Sequence, residues 1–152
     1  MTSYELWLFL HITGTVVWVG GAVTAQLFGF LAQRSKDPAR NAAFGRDVYW
    51  VVTRLFMPTS VIVLVTGFAL MGDGGWSWGE PFIWLGLVLW VVVAGLAFGY
   101  VTPALGRVGR QIAAEGPSPE LLARTNRLVV SARVLILVLV IIVFLMVVKP
   151  GT

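Results

Sequence analysis

The only histidine of the chain, His11, is the side chain best suited to bind a metal ion or haem. It lies within an apolar stretch, and neutral imidazole is a common ligand of copper and of haem iron. Because cysteine is absent, the remaining soft donors at a similar depth are Met71 and Met146. Two interpretations stay open: His11 is an axial haem or copper ligand with Met71 or Met146 opposite, or it is a packed histidine bonded to Thr15, Thr66 or an interfacial water.

Trp18 shares a helical face with His11, because residues three or four positions apart lie on one side of a helix. It either packs inside the protein or forms the floor of an apolar cavity that belongs to a cofactor site. Small residues recur at four-residue spacing on the first helix and again on the third: Gly21, Ala25 and Gly29, then Gly95 and Gly99. We predict that they pack the first helix on the third, or join chains in a homo-oligomer or larger membrane complex.

Two arginines, Arg54 and Arg133, lie inside apolar stretches, where a charged side chain is costly unless it reaches the headgroups or finds a partner. Asp47 lies on the same predicted helical face as Arg54 and could be its counter-ion. Pro58 leaves the carbonyl group of Arg54 without a helical donor, which predicts a kink. Either both arginines extend to the inner headgroups, or with Asp47 they form a basic pocket for an anionic lipid headgroup or another acidic ligand.

No catalytic constellation is present in the sequence. It has no pair of acidic residues within an apolar stretch, no nucleotide-binding loop, no zinc-protease motif and no recognisable set of serine, histidine and aspartate. We therefore predict no catalytic residues and expect a protein that is not an enzyme.

Four long apolar stretches must position these side chains. Of 152 residues, 58% are hydrophobic and 12% are charged, and the mean hydropathy is +0.87, which excludes an ordinary soluble domain. Each stretch reaches the roughly 20 residues that a helix needs to cross about 30 Å of hydrocarbon. We predict one all-α transmembrane domain, 1–152, an up-down-up-down bundle with helices at about 5–33, 46–71, 81–103 and 119–148.

The loop charges predict the orientation in the membrane. Two loops are rich in basic residues and belong in the cytoplasm: Arg34, Lys36, Arg40 and Arg46 in the first, and Arg107, Arg110, Arg124 and Arg127 in the third. The second loop, 72–80, has two acidic residues and no basic one, so it faces outward together with both termini. We thus expect a multi-pass protein of the inner cell membrane, whose net charge of +4 reflects these loops and not nucleic-acid binding.

The third loop is the least regular part of the predicted bundle. Pro103 suits a helix end, because proline cannot donate the hydrogen bond of a regular turn. Segment 106–117 is therefore the one region that we expect to be mobile, although it can begin as an amphipathic continuation of the third helix. Ser118 and Pro119 have the residue types of a helix cap and first helical position, and they predict the start of the fourth helix.

The stretch LHITGTVVWVGG, residues 10–21, resembles the first helix of a broad group of small bacterial membrane proteins. The group includes copper-resistance protein D domains, HemJ-type protoporphyrinogen oxidases and an uncharacterised family of predicted integral membrane proteins that often have four helices. The shared pattern is a histidine near the outer end, followed by a tryptophan and a glycine pair. The HemJ resemblance implies that His11 is a haem ligand together with a lysine of the third helix, but residues 82–102 contain no lysine or arginine.

Three hypotheses about function follow. The first is a four-helix membrane protein of the uncharacterised family that acts as a non-enzymatic binding, transport or accessory subunit. It would have an outer site at His11 and Trp18 and an inner site for anionic lipid at Arg54 and Arg133. The second is a redox protein that binds haem b or copper through His11. The third is a structural subunit of a larger membrane complex, assembled through the glycine ladders.

Overall fold

The structure, a computed structural model, describes residues 2–150, and all regular secondary structure in this part of the chain is helical. Four long helices follow one another: α1 (Ser3–Arg34), α2 (Pro38–Asp73), α3 (Pro81–Glu115) and α4 (Pro119–Val148). Each is long and apolar enough to cross a membrane, which confirms the prediction of an all-α protein with four candidate spans. We name the end of the bundle with loops 35–37 and 116–118 the basic end, and the opposite end, with loop 74–80, the terminal end.

Local capping explains where α2 and α4 begin. The side chain of Asp37 accepts a hydrogen bond from the amide of Ala39 at 2.9 Å, and Pro38 occupies the first turn. The helix α2 consequently begins at Pro38, well before the predicted start near residue 46, because the cap lies outside the apolar stretch that guided the prediction. Ser118 and Pro119 begin α4 in the same way, as the sequence predicts.

The helix α3 passes through Pro103, where the prediction ended it, and continues to Glu115. A π-helical segment, Ala97–Val101, precedes the proline and accommodates its missing amide hydrogen. The continuation is amphipathic, as expected, and is capped by Gly116, whose φ of +84° favours glycine. Most of segment 106–117 is therefore packed helix and not a loop, and its mobility stays a prediction.

Small residues let α2 and α3 touch backbone to backbone near the basic end. A Cβ atom added at Gly45 would lie 2.9 Å from the carbonyl oxygen of Leu105 and 3.3 Å from the Cα atom of Gly109. Around this contact Leu105, Val108 and Ile112 of α3 are buried. Neither glycine belongs to the two predicted ladders, so this backbone contact between helices was not identified from the sequence.

The predicted ladder on α1 packs against α2 within the same chain. The ring of Phe56 lies on Gly21, and a Cβ atom added at Gly29 would come within 2.8 Å of the ring of Phe44. Ala25, between these glycines, lines a space that both phenylalanines also line. Because α2 covers it, this ladder is not available as the predicted contact between chains.

The second predicted pair, Gly95 and Gly99, faces away from the rest of the described chain. Both glycines are exposed, and no packing partner lies within 4 Å of a Cβ atom added at either position. The predicted packing of α1 on α3 through this pair is therefore wrong. A contact of the pair with another chain stays a prediction.

The four helices pack together mainly toward the basic end. There α2 packs on α3, and α4 packs on α1 and α3, whereas near the terminal end the main contacts are within the α1/α2 and α3/α4 hairpins. Aromatic side chains connect these hairpins at the terminal end, where the ring of Trp78 lies 5.9 Å from that of Phe68 and 6.1 Å from that of Trp84, measured between centroids. Candidate residues near the basic end therefore lie among all four helices, whereas those near the terminal end lie mainly within one hairpin.

Candidate functional site

Two groups of α2 hold the ring of His11. Its Nδ1 atom lies 2.9 Å from the carbonyl oxygen of Val63 and 3.1 Å from Oγ1 of Thr66. The hydroxyl of Thr66 donates to the carbonyl of Ile62 at 2.7 Å, so its oxygen is free to accept from the histidine. Gly67 gives the ring room, since a Cβ atom there would lie 3.3 Å from Cε1. The Nδ1 edge of His11 is thus fixed against α2.

These contacts determine the tautomer of neutral His11. The carbonyl oxygen of Val63 can only accept, so we assign the hydrogen to Nδ1 and the lone pair to Nε2. Within residues 2–150, Nε2 has no hydrogen-bond partner and is not among the fully buried polar atoms. Metal-binding histidines commonly have this arrangement. Thr66 is one of the predicted partners, whereas the hydroxyl of Thr15 donates to the backbone carbonyl of His11 at 2.8 Å.

The two methionines predicted to lie opposite His11 belong to different hairpins. Met71 is half-buried near the terminal end of α2, the helix that contacts His11. The methyl group of Met146 lies against Gly86, so this side chain packs within the α3/α4 hairpin. No group of three or more histidine, cysteine or acidic side chains suited to a metal ion occurs among the residues described. Met71 is consequently the better placed of the two predicted ligands.

A cavity of about 90 Å³ lies at the centre of the bundle, and Trp18 forms part of its wall. Trp18 is only 4% exposed, and its ring centroid lies 6.2 Å from that of Phe98 on α3. All four helices contribute to the walls, which are apolar except for the side chains of Gln26 and Thr102 and the indole nitrogen of Trp18. The cavity extends from Trp18 toward the basic end, away from His11, so the structure does not unite these two residues in one outer site.

Three π-helical segments border this cavity, one in each of the first three helices: Val16–Gly20, Val52–Phe56 and Ala97–Val101. A π-helical turn holds an extra residue and so changes the direction of the side chains around it. Pro58 and Pro103 stand two positions after the second and third segments, where a regular turn would lack its donor. In the sequence, these two prolines were the only sign of the irregular segments around the cavity. From Pro58 we predicted a kink and from Pro103 a helix end, but not a cavity.

The two arginines of the apolar stretches do not come together. Arg133 donates from Nε to Oε1 of Gln26 at 3.4 Å, and Gln26 in turn donates from Nε2 to the carbonyl of Val129 at 3.3 Å. Arg54 is exposed on α2, while its predicted counter-ion Asp47 lines a groove to which Arg54 does not contribute. The structure therefore adds Gln26 as a partner of Arg133 and separates Arg54 from Asp47. Binding of an anionic ligand by this set stays a prediction.

The groove that Asp47 lines has a volume of about 520 Å³ and lies between α1 and α2. Its walls are mostly apolar, and Phe28 and Leu55 are 59% and 46% exposed along it. Arg40 and Asp47 are its charged residues. Five side chains line both the groove and the central cavity and so separate the two spaces: Ala25, Phe44, Val48, Val52 and Phe56.

The role of Arg40 in this groove was missed, because in the sequence it is one of several basic residues of a loop. The pairing of Phe28 of α1 with Leu55 of α2 was missed as well, since only the packing of the two helices brings them to one surface. The available signal in the sequence was Phe28, which stands beside the small-residue ladder of α1.

Comparison with known proteins gives one match. A family described as predicted integral membrane protein (DUF2269) matches residues 5–150, nearly the whole chain. No curated protein and no solved structure matches it.

Proposed function

The chain belongs to the DUF2269 family of predicted integral membrane proteins, and we propose that it is a non-enzymatic binding protein for a lipid-like ligand. The observation that carries this proposal is the central cavity, which is bordered by three π-helical segments and by Trp18. Such segments weaken the regular hydrogen bonding of a helix and are frequent at functional sites. Three of them around one space favour a binding site over accidental imperfect packing.

The size and the walls of the cavity indicate which part of a ligand it can take. Its volume of about 90 Å³ is well below the roughly 150 Å³ of an apolar cavity that holds benzene, so it accepts only the end of a chain or a similar small apolar group. The rest of the ligand must lie outside, and the groove beyond Phe44 and Phe56 offers the space. A long, thin and mostly apolar molecule fits both spaces when the side chains that separate them, such as Phe44 and Phe56, move aside.

We place the basic end on the cytoplasmic side of the inner cell membrane. The two loops at this end and the helices beside them carry most of the basic residues, whereas the terminal end has Lys149, and loop 74–80 contains Glu80 and no basic residue. With this orientation the groove between α1 and α2 meets the inner leaflet. Arg54 and Arg133 then lie where their side chains can extend toward the inner headgroups and contact acidic lipids.

Filling the cavity tests the proposed function. Ala132 of α4 lines the cavity, and Ala132→Leu places three more carbon atoms there. We expect a photoactivatable fatty acid to label the Trp18 region of the purified wild-type protein and to label the variant only at background level. Ala123→Leu, at an exposed position of the same helix, is the matched control and should label like the wild type. Equal labelling of the cavity in both variants would count against the proposal.

Haem or copper binding at His11 is a second candidate function, favoured by the free Nε2 atom and the fixed Nδ1 edge. The resemblance of residues 10–21 to the HemJ type and to copper-resistance protein D points to the same residue. The residues present fit such a group in part: His11 could be one ligand, and Met71 lies on the helix that contacts it. Bound haem would supply one-electron chemistry.

This second candidate predicts a spectroscopic result. Protein purified gently after growth with added haem and copper should show a Soret band or stoichiometric copper, and His11→Ala should lose either signal. Thr15→Ala is the control, because this hydroxyl contacts the backbone of His11 and not its ring. A colourless, metal-free protein after supplementation would reject the candidate and leave His11 as a packing residue of the α1/α2 hairpin.

A further inference from the structure

We infer that the groove between α1 and α2 is a binding site for a phospholipid with a primary-amine headgroup, such as phosphatidylethanolamine. The inference deepens the proposed function, on which it rests for the destination of the acyl chain. The choice of headgroup rests separately on the two charged side chains of the groove, Arg40 and Asp47.

The groove has room for a headgroup between Arg40 and Asp47 and for about 12 Å of acyl chain between Asp47 and Leu55, with the rest of the chain beyond it. Between Arg40 and Leu55, which both line it, the axis of α2 rises about 22 Å. Phe28 from α1 and Val51 from α2 are among its apolar walls. A groove on the flank of two membrane-spanning helices opens into the bilayer, where the available occupant is the hydrocarbon chain of a lipid.

The charges of the groove have opposite signs and lie on one side of α2. Arg40 and Asp47 both line the groove, are both exposed, and are about 10 Å apart along the helix axis. The guanidinium of an arginine binds phosphate in a bidentate manner, and its long side chain can bend toward the headgroup layer. The carboxylate of Asp47 binds an ammonium group. A headgroup in which two carbons join a phosphate to an ammonium group reaches both side chains when it folds back along the groove, with the phosphate toward Arg40 and the ammonium toward Asp47.

Asp47 also discriminates against other phospholipids. The headgroup of phosphatidylglycerol has a phosphate for Arg40 but no cation for Asp47, so the carboxylate of Asp47 would stay uncompensated beside an anionic lipid. The quaternary ammonium of phosphatidylcholine keeps the positive charge but has no N–H group to donate to Asp47. The expected order of retention is therefore phosphatidylethanolamine, then phosphatidylcholine, then phosphatidylglycerol.

Competition among three lipids with identical acyl chains tests this order. The full chain is incubated in detergent with equal amounts of phosphatidylethanolamine, phosphatidylcholine and phosphatidylglycerol, and retained lipid is counted by native mass spectrometry. The wild type should retain phosphatidylethanolamine about threefold to fivefold over phosphatidylglycerol, the effect of one partly screened ion pair. Asp47→Asn should abolish this preference, and Asp47→Glu should restore it. Arg40→Gln should lower the retention of all three lipids.

Arg46→Gln is the matched control, because Arg46 is an exposed neighbour that does not line the groove. It should change neither the total retention nor the lipid ratio. The same ratio of phosphatidylethanolamine to phosphatidylglycerol in the wild type and in Asp47→Asn would overturn the inference, since any acidic lipid held by Arg54 and Arg133 is common to both. Failure of the proposed function is distinguishable: a headgroup preference without fatty-acid labelling at Trp18 would leave the groove site standing and exclude only the cavity as its continuation.

Discussion

Gly45→Val should lower the free energy of unfolding by about 2 to 3 kcal/mol, the upper part of the range for overpacked interiors. The added side chain would meet the backbone of Leu105 and Gly109, and backbone atoms cannot rotate away as a side chain can. The helices α2 and α3 must then separate at their closest contact. Thermal unfolding in detergent, followed by the intrinsic fluorescence of the seven tryptophans, measures the effect.

The same substitution at Gly95 is the control for this prediction. Gly95 lies in α3 and is exposed, and an added Cβ atom there meets nothing within 4 Å. Gly95→Val should leave the unfolding temperature nearly unchanged, since only helix propensity differs. If both variants unfold at the same temperature, α2 and α3 do not pack closely at Gly45, and the described contact with Leu105 and Gly109 is wrong.

Gly21→Leu should both destabilise the protein and abolish labelling of the cavity by the fatty acid. The ring of Phe56 lies on Gly21, and Phe56 is itself 6% exposed, so a leucine must displace a buried aromatic side chain. Phe56 lines both the groove and the cavity, and its displacement therefore changes the wall that separates them. We expect a loss of about 2 kcal/mol in stability together with background labelling.

The adjacent position provides the control. At Gly20 an added Cβ atom has nothing within 4 Å, and the residue is exposed. Gly20→Leu should keep wild-type unfolding and wild-type labelling, although it changes the same π-helical region of α1. Loss of labelling in both variants would show that the backbone of this region, and not the position of Phe56, controls access to the cavity.

The helices could be predicted because apolar stretches of about 20 residues have few alternatives in a bilayer. Their limits could not be predicted as well. The first turns of α2 after Pro38 and the last turns of α3 before Glu115 are polar enough to resemble loops, and contacts such as that of Gly45 with Gly109 hold them as helices. Hydropathy along one helix contains no information about such partners.

Some contacts of individual side chains could be predicted from the sequence, and others could not. That His11 would bond to Thr66 was predictable, since a buried imidazole must find a partner and few polar groups are available. The groove that Arg40 and Asp47 line was not predictable, because it exists only where α1 and α2 meet in a particular register. Spacing along one helix predicted Arg54 as the counter-ion of Asp47, which stays a prediction, whereas the surface shared with α1 includes Asp47 and Arg40 and not Arg54.

The lengths of α2 and α3 have a consequence for what holds the protein together. At 36 and 35 residues these helices rise more than about 50 Å, beyond the roughly 40 to 45 Å of a bilayer with its headgroups, so part of the pair stands in water. The buried face of α3 from Leu105 to Ile112 lies toward the basic end. Expulsion of water stabilises that portion, as in a soluble helical hairpin, whereas close fit and interhelical hydrogen bonds stabilise the portion in lipid. One continuous pair of helices thus folds in two solvents, each with its own rules of stability.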